Sequence, residues 1–195
     1  MEAKQVAISM LALAVLVACG QKQDDAAAMA DHDTMPAAAP APAAGPTDAQ
    51  IAAIVVTANS GDSAAGMLAK AKSTNPKIRA FGQSMATDHG AVNGLAVSLA
   101  QKLNLTPESS PTSEALAQDS EQNLQKLQGL SGSAFDKAYI DHEVALHQQV
   151  LDALSSTLIP SAQNAELKAL LEKGQPIFQG HLDMAKQVQS SLSGS

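Results

Sequence analysis

Five side chains able to hold a metal ion stand on the apolar stripes of one chain or one turn from such a position: Asp62, His89, Glu143, His147 and His181. Imidazole nitrogen and carboxylate oxygen are the donors that divalent transition metals accept. Three imidazoles with a carboxylate would suit Zn, Fe, Mn or Cu. Asp62, His89, His147 and His181 each stand where a large apolar residue would continue a helical stripe, and Glu143 lies one turn before His147. The same set has a second reading without metal. Histidines and carboxylates inside a bundle can hydrogen-bond one another and fix helix register at some cost in stability.

The stripes belong to four long segments. The first carries Ile51, Val55, Ala58, Asp62, Ala65 and Leu68. The second carries Ile78, Phe81, Met85, His89, Val92, Leu99 and Leu103; the third, Ile140, Val144, His147, Leu151, Leu154 and Leu158. The last carries Leu167, Leu170, Leu171, Ile177, His181, Met184 and Val188. Spacings of three and four are those of a helical bundle core.

Caps set the boundaries. Thr47 with Gln50 forms a capping box, and Asn75 followed by Pro76 opens the second helix. "NLTPESSPTS" reads as a loop, followed by a short helix from about Glu114 to Gln128. Ser133 caps the next long helix, which reaches about Leu158. Ser161 caps the last, which ends near Leu192 and is kinked at Pro176. Counted from a turn at Pro160, His181 sits roughly 10 Å deeper than His147.

Composition narrows the function. The net charge is −7, and Lys and Arg form no basic patch, which excludes a nucleic-acid partner. Aromatics are 2% of the chain, too few for a stacking platform. No nucleophile elbow or phosphate loop is present, so an enzyme has little to work with. Tyr139 with Asp136 resembles acid–base machinery but reads as a packed ring. Met67, Met85 and Met184 read as core, and His142 as surface.

The front of the chain is not bundle. An apolar run, Val6 to Val17, is too short to span a membrane and has the outline of a secretory signal. Leu16-Val17-Ala18-Cys19 resembles the lipobox of bacterial lipoproteins. That resemblance implies a signal peptide over 1–18 and acylation of Cys19, palmitate included, so that lipid anchors the chain to a membrane. Gly20 after the cysteine implies the outer membrane, with the domain facing the periplasm. Cys19 is the sole cysteine, so no disulfide competes for it. Residues 19–46 form an Ala/Pro-rich linker, and Asp31-His32-Asp33 within it reads as solvated. One domain, 47–192, follows.

"NSGDSAAGMLA", "KIRAFGQSMATDHGAVNGL", "GSAFDKAYIDHEVALHQQVL" and "PIFQGHLDMA" resemble a bacterial family catalogued as domain of unknown function 4142. The resemblance implies an all-α, ferritin-like four-helix bundle with an extra short helix in the crossover, in an exported protein. Its pattern falls on Met85, Asp88, His89, Phe135, Asp136, Tyr139, His147 and His181, with Asp62 where the family usually has Glu. A ferritin-type di-iron centre needs a carboxylate three residues before each paired histidine. Ala86 and Phe178 stand in those places. The expectation is a non-enzymatic bundle holding one divalent metal or a small ligand. The alternative is an envelope structural protein that meets a protein partner.

Overall fold

The computed structural model describes residues 45–193. Cys19, its leader and Asp31-His32-Asp33 lie outside them. The described residues are helical with no strand.

Helix α1 (Asp48–Lys72) opens on the expected capping box: Thr47 Oγ1 accepts from the Gln50 amide at 3.2 Å, and Gln50 Oε1 from the Thr47 amide at 3.0 Å. Helix α2 (Pro76–Lys102) is capped by Asn75, whose Oδ1 accepts from the Lys77 amide. Helix α3 (Pro111–Gly129) starts earlier than expected. Ser110 caps it reciprocally with Ser113, so Pro-Thr-Ser, read as loop, forms its first turn. Helix α4 (Gly132–Ala153) starts two residues before a Ser133 cap would allow. Ser131 holds the cap position without a side-chain bond, and Gly132 turns the corner at φ 55°.

The junction after α4 differs most from expectation. A π turn, Leu154–Leu158, carries the helix onward into α5 (Ile159–Ser161). Pro160 has no amide hydrogen, and its ring crowds the carbonyl a turn before it; a widened turn accommodates both. Helix α6 (Ala165–Ser193) is capped by Asn164, not Ser161: Asn164 Oδ1 accepts from the amides of Glu166 and Leu167. It runs unbroken through Pro176.

Hydrogen bonds between elements give the topology. The Glu108 amide donates to Ala49 O, and Asp48 accepts from the Gln163 and Asn164 amides. The start of α1, the end of α2, and the α4–α6 junction therefore share one end of the bundle. At the other end, Lys72 Nζ donates to the Leu127 and Gln128 carbonyls and lies 5.5 Å from the Phe135 ring centre. So α1 and α6 run one way, α2 and α4 the other, with α3 as the crossover. This is the up–down–down–up order of a ferritin-like bundle. Packing is most extensive between α1 and α2; α6 lies against α4, and α3 against α1, to an equal extent.

Two apolar clusters fill the interior, one around Ile51, Leu154, Leu171 and Leu182, the other around Phe81, Met85, Phe135 and Tyr139. Two core expectations fail on α6. Ile177 and Met184 are exposed, and Phe178, Leu182 and Ala185 are buried instead. The stripe from Leu167 continues through Leu171, Gly174 and Phe178; adjacent apolar residues at 177 and 178 left the phase ambiguous, and the larger ring went inside. Met67 is also exposed, at 56%.

Asp136 is structural. Its buried Oδ1 accepts from Ser73 Oγ at 2.5 Å, and Ser73 Oγ in turn accepts from the Asn75 amide. It thus pins the α1–α2 turn to α4. Asp136→Ala strands a buried hydroxyl and is expected to cost about 2 kcal/mol in chemical denaturation.

Candidate metal centre

Each long helix brings one polar side chain to a common point: Asp62 from α1, His89 from α2, His147 from α4 and His181 from α6. Glu143 joins them from the turn preceding His147. All five are buried, Glu143 and His147 almost completely. His147 and His181 are not at different depths. Their rings are 5.5 Å apart, and the ring of His181 is 5.1 Å from that of His89. The turn is not at Pro160 but at 162–164, so α4 gains residues on its side and α6 begins later, which brings the histidines level.

The hydrogen bonds orient the rings. Asn59 Nδ2 donates to Val55 O at 2.7 Å, which leaves Asn59 Oδ1 as acceptor for His89 Nδ1–H at 2.9 Å. His147 Nδ1–H donates to the Glu143 carbonyl at 2.9 Å. In both neutral rings Nε2 therefore carries a lone pair. These two nitrogens face each other at 3.4 Å. Asp62 Oδ2 is 3.2 Å from His89 Nε2 and 3.7 Å from His147 Nε2. His181 Nε2–H donates to Asp88 Oδ2 at 3.0 Å, and its buried Nδ1 has no hydrogen-bond partner.

Three lone-pair atoms thus converge with no proton fixed between the two nitrogens. The nearest point equidistant from all three lies in their plane, about 2.0 Å from each, the length of a zinc–nitrogen or zinc–oxygen bond. Tetrahedral ligands at that bond length are roughly 3.3 Å apart. Facial octahedral ligands would be closer, roughly 2.8 Å. The spacing fits the tetrahedral case better. One ligand atom from each of His89, His147 and His181 lies within 4.8 Å of the others, and the same holds for Asp62, Glu143 and His147.

Burial sets the charge. It lowers His89 to about 2, helped by His147 and His181, and lowers His147 to about 4. Both rings are neutral donors at physiological pH. Burial raises Asp62 from 3.8 to about 7, with Glu143 acting in the opposite direction. Burial also raises Glu143 well above its ordinary 4.5, and the Asp62 charge raises it further. Although these carboxyls interact, Asp62 Oδ1 and both Glu143 oxygens lack a hydrogen bond of good geometry. Unpartnered acceptors beside neutral imidazoles suit a cation, which would supply the missing charge.

Sequence reasoning named all five donors but missed their supports. Asn59 lies three residues before Asp62, on the same face, and was readable as a polar neighbour on that stripe. Asp88 points off the α2 stripe and reaches across to His181. Phe178 fills the place of the absent carboxylate and stacks on His89 at 5.3 Å. Tyr139 packs on Phe81 and Phe135; its buried hydroxyl lies near the Glu143 carboxyl without a hydrogen bond of good geometry, and burial with the Glu143 charge pushes its pKa well up. His142 is no part of the site; it pairs with Asp119 at 2.9 Å and ties α4 to α3. Outer-shell partners of metal-bound histidine are worth roughly 10–100-fold in affinity. Asn59→Leu, which strands His89 Nδ1–H, should weaken metal binding by about that factor in a competition titration.

A family model described as Domain of unknown function (DUF4142) matches residues 33–188. No curated protein and no solved structure matches the chain.

Proposed function

Since the chain belongs to the DUF4142 family, whose description carries no activity, we propose a function from the site: a metal-binding bundle, held in the bacterial envelope by lipid on Cys19. The supporting observation is the convergence of His89 Nε2, His147 Nε2 and Asp62 Oδ2 at 3.2–3.7 Å, with both histidine Nδ1–H groups already engaged. Zinc is the first choice by spacing, ahead of Fe, Mn and Cu. Glu143 and His181 stand by as further ligands. A dedicated nucleophile is lacking among the described residues, so the reading is binding rather than turnover. The lipobox, Leu16 to Cys19, supports the anchor, and Gly20 supports the outer membrane facing the periplasm.

The test is elemental analysis of the full chain, purified without chelator or histidine tag, beside a His89→Ala, His147→Ala double variant. About one metal per wild-type chain, lost in a folded variant, is the expected result. No metal in the wild type after reconstitution with each of the four ions would sink the proposal. It would favour the second reading, a self-satisfied polar cluster in an envelope structural protein. That reading has one observation on its side: a protonated Asp62 could donate to His89 Nε2 at 3.2 Å.

A further inference from the structure

A cavity of about 540 Å³ opens beside the donors. Its walls are apolar, built from Val55, Val92, Leu146, Val150, Leu154 and Leu171 among others. Its polar end is formed by Asn59, Asp62, His89 and His147; Glu143 and His181 do not line it. The volume is that of a site for a small organic molecule. A purely structural polar cluster has no use for an apolar chamber reaching its buried carboxylate.

Resting on the metal reading above, we infer that the cavity takes an amphiphilic monocarboxylate, a medium-chain fatty acid, with its carboxylate on the metal. Three protein ligands leave a tetrahedral ion one open position. A divalent ion with Asp62 as its ionised ligand retains one positive charge, which an anionic head neutralises. Among the described residues the lining contains no Lys or Arg, and its outer side carries the exposed Asp119 carboxylate. The metal is thus the cation that would recognise the head, and a second anionic group would meet either apolar wall or a like charge. This disfavours nucleotides, sugar phosphates and dicarboxylates. The rest of the ligand must be apolar, because the walls offer a long tail few polar partners.

Cobalt(II) substituted into the full chain reports the ion's coordination through its visible spectrum. Titration with decanoate is expected to change that spectrum at saturation. Decanoate should bind about 100-fold or more tighter than acetate, which has the head without the tail, since each buried methylene adds affinity. Decanol, the tail without the head, should leave the spectrum unchanged. Two variants fill the chamber without touching a ligand: Val150→Trp in the wall and Ala115→Trp, exposed on α3 at the lining. At least one should keep full cobalt content and lose decanoate binding.

Any of three results overturns the inference: an unchanged spectrum, decanoate no tighter than acetate, or undiminished binding in every metal-replete tryptophan variant. Equal decanoate affinity in chelator-treated protein would remove the metal from the recognition and overturn it as well. A failure of the underlying reading is distinct, because cobalt itself would then be absent by elemental analysis of the same samples.

Discussion

Gly66→Ala combined with Gly82→Ala is expected to lower the melting temperature of the bundle by roughly 8–16 °C. The two glycines face each other where α1 crosses α2. A Cβ on Gly66 would stand 2.7 Å from Gly82 O and 2.8 Å from the Ala86 amide nitrogen; one on Gly82 would stand 2.7 Å from Gly66 O. These neighbours are helix backbone and cannot swing aside, so the helices must part. Overpacking of this kind costs up to about 3 kcal/mol per site, offset by about 1 kcal/mol of alanine helix propensity. The net of about 4 kcal/mol for the pair converts to the stated shift at 2–4 °C per kcal/mol for a domain of this size. Gly94→Ala is the control. No atom would crowd its Cβ, and it should be neutral or stabilising. Thermal scans of the three proteins decide it, and a double variant as stable as the parent would refute the close crossing.

Asp62→Asn should act in opposite directions on binding and stability. The variant removes the ionised ligand of the converging trio. Its metal affinity should fall by more than the roughly 100-fold that an outer-shell loss costs. The metal-free protein should gain stability at high pH. Because burial raises the folded pKa of Asp62 from 3.8 to about 7, the folded chain holds a proton that the unfolded chain has released. Stability contributed by this group is therefore full below pH 3.8 and is lost as pH rises through 7. Asparagine stays neutral and escapes that loss. Chelator-treated wild type and variant, compared by denaturation, should differ most at pH 8 and less at pH 5. His89 and His147 act oppositely. Their lowered pKa values cost stability as pH falls below 6.5 in both proteins, so they cancel from the comparison. A variant that loses metal without gaining stability at pH 8 would show that Asp62 is less desolvated than its burial indicates.

The donors were legible because a charged or imidazole side chain on an apolar stripe violates a simple periodic rule, and His89 violates it between Met85 and Val92. The caps at Thr47 and Asn75 were legible because these side chains act on amides two or three residues away. The junction near Pro160 was not legible. Proline predicts a stop, yet a π turn lets the helix pass, and that choice depends on how Leu154 and Leu158 pack against α6. The depth of His181 followed from that error. Nor could the sequence disclose the cavity, since an empty volume is a property of how α1, α2, α3, α4 and α6 are set against one another and not of any one stripe. The π turn's Leu154 and Leu158 both line it.

The donors are divided between two hairpins. Asp62 and His89 sit on α1 and α2; His147 and His181 sit on α4 and α6, with the crossover helix between. Each hairpin is built from neighbouring segments and can form early, whereas the donor set closes only when the hairpins dock. An ion held there is a rivet across the longest loop of the chain, set last and drawn first. Its weight should fall on the rate at which the native bundle comes apart, with little effect on the rate at which it assembles. The lifetime of the assembled state, rather than the speed of reaching it, is what such a rivet would govern.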